Sequence, residues 1–152
     1  NALQGFVLFN KQYPNHQLIA CTGHPPLIKP LPILSILIKH RKNIRCMGYI
    51  NATQMAELYQ NADALLFPSF AEGFGLPILE AMSVNVPAVI SNTTALPEIG
   101  QNAAEYINPS SPIDIANGLT KLINDETKRN TRISNMHDVL LFEFYKGLKE
   151  HG

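Results

Sequence analysis

The sequence predicts an α/β protein with a doubly wound parallel sheet, and three observations point to this class. Short apolar runs of strand length alternate along the chain with longer segments that carry apolar residues at helical spacing. Several runs, such as 64–67, are continuously apolar, which is typical of strands covered on both faces of a parallel sheet. Gly, Pro and Asn residues separate these segments. Because strand and helix alternate in this way, the expected topology is Rossmann-like.

Composition and charge limit the number of domains, the partners and the location to be expected. The chain has 152 residues, 45% of them hydrophobic, and we expect residues 1–152 to form one domain. Twelve basic and twelve acidic side chains give no net charge, which argues against nucleic acid as a partner. The five histidines show no metal-ligand spacing. No apolar run is long enough to cross a bilayer and no signal peptide is recognisable, so the expected location is cytoplasmic.

The first half of the chain predicts two strands between helices. Apolar side chains at helical spacing stop before Pro14, which indicates an opening helix. Asn51 followed by Gln54 forms the pattern of a capping box and marks the start of a later helix. In chain order we expect a helix at 2–13, a strand at 17–21, a helix at 33–40, a strand at 44–47 and a helix from 52 onwards.

The two cysteines, Cys21 and Cys46, fall within the expected strands. Buried, reduced thiols explain this position better than a disulfide or a metal site does. Because burial hides a thiol and raises its pKa, we expect thiol reagents to label both cysteines slowly in the native protein.

The segment 63–83 has the most informative pattern in the chain. Residues 64–67 form a short apolar strand, which ends at Pro68 because proline cannot donate to a sheet ladder. A loop follows, and then a helix that carries several apolar side chains. The segment therefore predicts a strand, a loop and a helix in succession.

The loop and the helix start predict an anion-binding site. Gly73 and Gly75 permit a positive φ and a close approach of the backbone to a ligand, and Pro77 suits the first turn of a helix. Unpaired N–H groups therefore collect near Gly75 and Leu76. Together with the positive end of the helix dipole, they favour an anion at the carboxyl end of a parallel strand.

Two carboxylates flank this site, Glu72 in the loop and Glu80 on the helix, with seven residues between them. A pocket for phosphate alone would not need them. An ionised carboxylate only accepts hydrogen bonds and can hold two vicinal hydroxyls, so the pair fits a phosphate with hydroxyl-rich groups on either side. A sugar nucleotide has this composition. The alternative interpretation is a solvated loop charge at Glu72 and an ordinary helix N-terminal preference at Glu80.

The segment Glu72–Glu80, EGFGLPILE, resembles the donor domain of the retaining glycosyltransferases of family four, also called group one, which have the GT-B architecture. All nine positions match the pattern of that family in a strand, loop and helix context. The resemblance covers the chain from Ala2 to about Ile133. It implies the C-terminal half of a GT-B enzyme, a hexosyltransferase that acts in polysaccharide biosynthesis.

The resemblance also implies roles for individual residues. Glu80 would hold the ribose hydroxyls, and Glu72, the expected catalytic residue, would hold the transferred sugar. The backbone groups expected to meet sugar and phosphate oxygens belong to Gly73, Phe74, Gly75 and Leu76. Neither a metal nor a cofactor is implied, because the nucleotide sugar is a substrate and helix dipoles with basic side chains neutralise the leaving group.

The same resemblance assigns two further segments to the donor pocket. The segment with Gly48 and Tyr49 would lie beside the nucleobase, although packing at a strand end explains Tyr49 equally well. Thr93 and Thr94 follow a buried strand expected at 87–91, in a loop that would line the pocket. Their hydroxyls would bond phosphate, and a plain turn also explains them.

The remaining elements continue the alternation. A strand is expected at 104–107, and Ser111 with Asp114 caps the helix that follows. An apolar C-terminal helix is expected at 138–150, where it would pack on another part of the protein.

The resemblance implies two parts that this sequence does not supply. Similar donor domains begin with a strand and a loop whose Arg and Lys grip the diphosphate, and no residue of this chain takes those roles. The sheet is therefore expected to lack its first strand, which leaves inner edges unpaired at 17–21 and 64–67. We expect an acceptor-binding first domain as a partner. The interpretation that this domain also binds peripherally to a membrane is left open. We expect the isolated chain to be inactive.

The predicted function is transfer of a sugar from a nucleoside diphosphate sugar to a glycan, lipid or other acceptor. The spacing of Glu72 and Glu80 disfavours another GT-B enzyme, such as a sugar-nucleotide epimerase or a phosphorylase. A truncated or degenerate domain that binds nucleotide sugar or a partner without catalysis stays open, because a fold does not determine its function. The sequence leaves the sugar, the base and the acceptor undetermined.

Overall fold

The computed structural model describes residues 1–21, 31–71, 74–124 and 126 of the chain. The predicted site residues Glu72 and Gly73 lie outside these ranges, as does the helix predicted at 138–150. No helix in the described ranges is both long enough and apolar enough to cross a bilayer.

Helices and strands alternate along the described chain. The helices are α1 (Ala2–Gln12), α2 (Leu31–Lys39), α3 (Ala52–Gln60), α4 (Leu76–Ser83), α5 (Leu96–Gly100) and α6 (Pro112–Asn124). The strands are β1 (Leu18–Cys21), β2 (Ile44–Met47), β3 (Leu65–Phe67), β4 (Ala88–Ser91) and β5 (Ala104–Ile107). β2 and β5 have the predicted bounds, and the other three strands each begin one residue later than predicted.

All strand pairs in the described chain are parallel. β1 pairs with β2, whereas β3, β4 and β5 form a second sheet with β4 in its centre. The predicted α/β class with parallel strands is therefore confirmed. β1 and β3 do not pair with each other within the described residues. These are the two strands whose inner edges the sequence predicts to be unpaired.

Two hydrophobic clusters cover opposite faces of the strands. The first joins both sheets, with Leu18, Ile44, Leu66 and Val89 contacting side chains of α1, α2 and α6. The second packs α4 and α5 against the larger sheet and includes Ile90. Because Val89 and Ile90 are consecutive residues of β4, their side chains point to opposite faces of the sheet. The helices therefore lie in two layers around the strands, as in a doubly wound fold.

Close helix contacts depend on two glycines. A Cβ built on Gly5 of α1 would lie 2.5 Å from Cγ2 of Ile115 on α6, and one built on Gly118 of α6 would lie 2.5 Å from Cγ2 of Ile107 on β5. Neither distance can accommodate a Cβ unless the neighbouring isoleucine or its element shifts. α6 therefore packs tightly on both α1 and the sheet.

The helix caps follow the predicted pattern in part. Asn51 and Gln54 form a complete capping box at the start of α3. At α6 the hydroxyl of Ser111 accepts a hydrogen bond from the N–H of Asp114, as expected. The carboxylate of Asp114 accepts instead from the N–H of Asn108 at 2.7 Å, which ties the helix start to the preceding turn.

The prediction that Cys21 and Cys46 are buried is wrong. The helices of the first cluster cover the face that carries Leu18 and Ile44, while Ile19 on the opposite face of β1 is 40% exposed. Both thiols are exposed, although strand positions in an apolar setting indicate burial. Partial burial still raises the pKa of the Cys21 thiol. The exposure of both thiols nevertheless removes the main reason to expect slow labelling.

Candidate functional site

The start of α4 has the geometry of the predicted anion site. Gly75 is the N-cap of this helix, and its φ of 64° confirms the predicted positive φ. No described side chain caps α4, and its first turn contains no acidic residue. Backbone N–H groups at the start of an α-helix lack intrahelical partners, and the helix dipole places about half a positive charge there. The start of α4 therefore favours an anion beyond the end of β3.

Packing explains why glycine occupies this cap. A Cβ built on Gly75 would lie 3.1 to 3.2 Å from side-chain atoms of Ile78, Leu96 and Ile99. These three side chains are part of the cluster between α4, α5 and the larger sheet. Any larger residue would combine crowding with a left-handed backbone conformation that L-residues disfavour. The core of the protein thus holds the backbone at Gly75 in the conformation that starts the helix.

Glu80 lies on the exposed side of α4. The hydroxyl of Tyr59 on α3 donates a hydrogen bond to Oε2 of Glu80 over 3.3 Å. The main-chain oxygen of Glu80 accepts from Oγ of Ser83 at 2.7 Å. With a rise of about 1.5 Å per residue, Glu80 stands about 6 Å along the helix axis from Leu76. One helix therefore carries both the anion-binding start and a carboxylate that accepts hydrogen bonds.

Tyr59 is a residue of this site that the sequence did not indicate. It lies in the last turn of α3, is half-buried, and is 21 positions from Glu80 along the chain. Burial, followed by the negative charge of Glu80 and the hydrogen bond to it, raises the pKa of Tyr59 to about 12. The phenol is therefore protonated at neutral pH and serves as a donor. The sequence indicated only a helical position for Tyr59, because the contact between α3 and α4 exists only in the tertiary structure.

Large apolar side chains are exposed around the start of α4. Phe74 is 59% and Leu76 is 58% exposed, on either side of the buried Gly75.

Tyr49, which follows β2, is 81% exposed, and Gly48 before it is half-buried. The exposure of Tyr49 argues against its interpretation as a packing residue. An accessible aromatic ring at this position is compatible with contact to a planar base.

The two threonines after β4 differ in their surroundings. Thr94 is exposed, has φ of 57°, and its hydroxyl donates to the main-chain oxygen of Thr93 at 2.7 Å. The hydroxyl oxygens of Thr93 and of Ser91 at the end of β4 are buried and have no hydrogen-bond partner among the described residues. An unpaired buried hydroxyl costs roughly 1 to 3 kcal/mol, so a partner there is favourable. Thr93 is therefore the better candidate of the two for contact with a ligand oxygen.

The described chain contains one carboxylate of the predicted pair. Glu80 lies within the described ranges, whereas Glu72 and Gly73 lie outside them, so the spacing of the two carboxylates in the fold stays a prediction. Within those ranges no group of three or more His, Cys, Asp or Glu side chains could hold a metal ion.

Sequence comparison finds one matching protein family and several similar proteins. A family model described as "Glycosyl transferases group 1" matches residues 7–138. O-antigen chain mannosyltransferase B of Escherichia coli is 42% identical over 86 residues, which are 57% of this chain and 23% of that protein. O-antigen chain mannosyltransferase RfbU of Salmonella typhimurium is 30% identical over 95 residues, 62% of this chain and 27% of that protein. The matched part is thus about a quarter of each relative's length.

Comparison with solved structures gives the same fold. The C-terminal domain of a glycosyl transferase group 1 family protein from Francisella tularensis matches with a TM-score of 0.77 at 24% identity, over 93% of this chain and 76% of that chain. A sucrose-phosphate synthase from Thermosynechococcus elongatus matches with a TM-score of 0.69 at 20% identity, over 99% of this chain and 43% of that chain. At these identities the two matches establish the parallel α/β fold.

Proposed function

This chain belongs to the glycosyl transferases group 1 family, and we propose that it binds the donor in a retaining enzyme that transfers a hexose from a nucleoside diphosphate sugar to a glycan, lipid or other acceptor. The chain has the parallel α/β fold of the C-terminal domains of GT-B enzymes. One observation carries the proposal. The carboxylate of Glu80 and a helix start led by Gly75, with no described capping side chain, lie on the same helix.

We assign the parts of the donor along this helix. The diphosphate lies at the start of α4, where the dipole and the N–H groups of Phe74, Gly75 and Leu76 face it. Glu80 accepts hydrogen bonds from the two ribose hydroxyls. Glu72 holds the hydroxyls of the transferred sugar. This order agrees with the chemistry of each group, because a carboxylate accepts from hydroxyls and repels phosphate.

Gly48 and Tyr49 are proposed to meet the nucleobase, and Thr93 and Thr94 to meet the phosphate. The 81% exposure of Tyr49 supports the first assignment. The buried hydroxyl of Thr93, which has no partner among the described residues, supports the second.

The proposed reaction needs charge stabilisation at the leaving group. The bond from the anomeric carbon to the phosphate oxygen breaks, and its electron pair stays on the diphosphate. The acceptor oxygen forms the new bond to the anomeric carbon, and its proton passes to an oxygen of the departing diphosphate. N–H groups aimed at the departing oxygens stabilise the developing negative charge without reorganisation, which is an effective form of catalysis. The start of α4 would make this contribution.

The relatives suggest a finer assignment of sugar and pathway. Two of them are named as O-antigen chain mannosyltransferases, which supports mannose as the transferred sugar and polysaccharide synthesis as the setting. Because the chain spans only about a quarter of each, we propose that it works as one domain beside an acceptor-binding domain. Contact with a membrane surface would then belong to that second domain.

Substitution of the two carboxylates in the intact protein tests the assignment. Glu80→Ala should weaken binding of GDP, UDP or ADP and of the corresponding sugar nucleotide alike, by the roughly 1.5 to 3 kcal/mol of a charge-assisted hydrogen bond. Glu72→Ala should leave the free nucleoside diphosphate unaffected and reduce sugar selectivity and turnover. Isothermal titration calorimetry measures the affinities, and transfer of labelled sugar measures turnover.

Glu57→Ala is the matched control, because Glu57 is an exposed carboxylate on the neighbouring helix α3. It should bind nucleotide as the wild type does. Equal affinity of the wild type and Glu80→Ala for the free diphosphate would contradict the ribose assignment.

A further inference from the structure

The contact between Tyr59 and Glu80 joins two helices at the site. α3 starts at a complete capping box and carries Tyr59 in its last turn, and α4 carries Glu80. The phenol oxygen lies 3.3 Å from Oε2 of the carboxylate. Within the described chain, Tyr59 is the side chain that donates a hydrogen bond to this carboxylate.

An exposed glutamate on a helix has to be ordered before it can recognise a ligand. Fixing a glutamate side chain costs up to about 1.5 to 2 kcal/mol of rotamer entropy, which lowers affinity if the ordering occurs on binding. Tyr59 has a rigid ring and is half-buried, so its hydroxyl is held in place by the fold. A hydrogen bond from such a donor orients the carboxylate before the ligand arrives.

The acceptor capacity of Glu80 suits this arrangement. A carboxylate has about four lone-pair positions, and Tyr59 takes one of them on Oε2. The remaining positions on Oε1 and Oε2 are open to further donors. Two vicinal hydroxyls can therefore donate to the same carboxylate while the phenol keeps its bond.

We propose that Tyr59 is a positioning residue that orients the Glu80 carboxylate for recognition of both ribose hydroxyls, and so determines the preference of the site for ribonucleotides over deoxyribonucleotides. This inference rests on the proposed function, in which Glu80 contacts the ribose. Tyr59 itself touches Glu80 and not the donor. Its removal should therefore weaken the discrimination between the two sugars more than it weakens binding in general.

Calorimetry of the intact protein with GDP, UDP, ADP and their 2′-deoxy forms tests this inference. The wild type should prefer the ribose form by about tenfold or more, as expected for a hydrogen bond to a charged group. Tyr59→Phe should reduce this preference roughly three- to tenfold and change the affinity for the 2′-deoxy form little. Glu80→Gln should abolish most of it.

Tyr106→Phe is the matched control. It also removes a phenol whose hydroxyl bonds within the protein, but the acceptors are the main-chain oxygens of Gln101 and Pro97. Its preference for ribose should equal that of the wild type. Thermal melting of each variant confirms that the compared proteins are folded, and the ratio of two affinities is insensitive to a partly unfolded fraction.

The outcomes separate the inference from the proposed function. If Tyr59→Phe keeps the wild-type preference while Glu80→Gln loses it, the positioning role is overturned and the ribose role of Glu80 stands. If Glu80→Gln also keeps the preference, Glu80 does not read the ribose and both proposals fail. A loss in Tyr59→Phe equal to that in Tyr106→Phe would indicate a general packing effect and would also overturn the inference.

Discussion

Tyr59 and Tyr106 show how the surroundings of a single residue decide its role. Burial raises the pKa of both phenols to about 12. The hydroxyl of Tyr106 donates to the main-chain oxygen of Gln101 at 2.7 Å, which ties the end of α5 to β5. The hydroxyl of Tyr59 donates to an exposed carboxylate at the candidate site. The same residue type therefore stabilises a turn in one place and orients a polar side chain in the other.

The raised pKa of Tyr106 predicts a loss of stability at alkaline pH. The unfolded chain titrates near pH 10 and the folded protein near 12, so the folded state binds more protons between these values. The contribution of Tyr106 is fully present below pH 10 and is lost as the pH rises through 12. Tyr106→Phe lacks this titration, so its unfolding free energy should fall less steeply over that range.

Urea unfolding of both proteins at intervals between about pH 9 and 12 measures this difference. Tyr49→Phe, which removes an 81% exposed phenol, should follow the wild-type profile. Parallel profiles of the wild type and Tyr106→Phe would show that the hydroxyl does not couple protonation to folding.

Among the elements, helix α4 both packs into the hydrophobic core and carries the proposed ligand-binding groups. Its cap, Gly75, has a positive φ, and a Cβ built there would lie 3.1 to 3.2 Å from Ile78, Leu96 and Ile99, which is tighter than usual side-chain packing. The same residue opens the helix whose first N–H groups are proposed to bind the diphosphate. A change at this position should therefore alter stability and binding together.

We expect Gly75→Ala to destabilise the protein by at least the roughly 1 to 2 kcal/mol that a left-handed conformation costs an L-residue. It should also weaken binding of GDP, UDP or ADP, because the N–H groups at the helix start shift. Denaturant unfolding measures the first effect, and calorimetry at a temperature where the protein is folded measures the second.

Gly5→Ala is the matched control for this element. Its Cβ would lie 2.5 Å from Ile115, so it should destabilise the contact between α1 and α6. This contact belongs to the cluster on the other face of the strands, so nucleotide affinity should not change. Equal losses of affinity in both variants would mean that binding only reflects overall stability.

For the whole molecule, the division of the described strands into two sheets has the largest consequence for stability and self-association. β1 and β3 do not pair within the described residues, although side chains of β1 and β3 contribute to one hydrophobic cluster. Unpaired strand edges leave N–H and C=O groups without partners and promote association with other chains. A strand between them would satisfy both edges.

We therefore expect the isolated 152-residue chain to self-associate, to bind donor weakly and to transfer no sugar, whereas the chain joined to the proposed acceptor-binding domain should be active. Positioning of donor and acceptor can contribute about 7 to 11 kcal/mol to lowering the barrier, and one domain alone does not supply it. Light scattering measures association, and a labelled-sugar assay measures transfer. Detectable transfer by the purified 152-residue chain would show that the acceptor site lies within these residues.

The sequence by itself determined the class of fold and the glycine-capped start of α4. β2 and β5 were predicted to the residue, and the capping box at Asn51 and the positive φ at Gly75 are present. These features depend on neighbours along the chain, since strands follow local apolar runs and a helix cap follows the conformational limits of a few residues. Local patterns of this kind do not depend on long-range packing.

The tertiary structure alone decided which faces are covered and which side chains meet. The exposure of Cys21 depends on which face of β1 the helices cover, and an apolar run does not encode this. The contact of Tyr59 with Glu80 depends on the relative placement of α3 and α4, because the two residues are far apart in sequence. Burial and side-chain contacts are properties of the packed elements, so no local pattern in the chain reveals them.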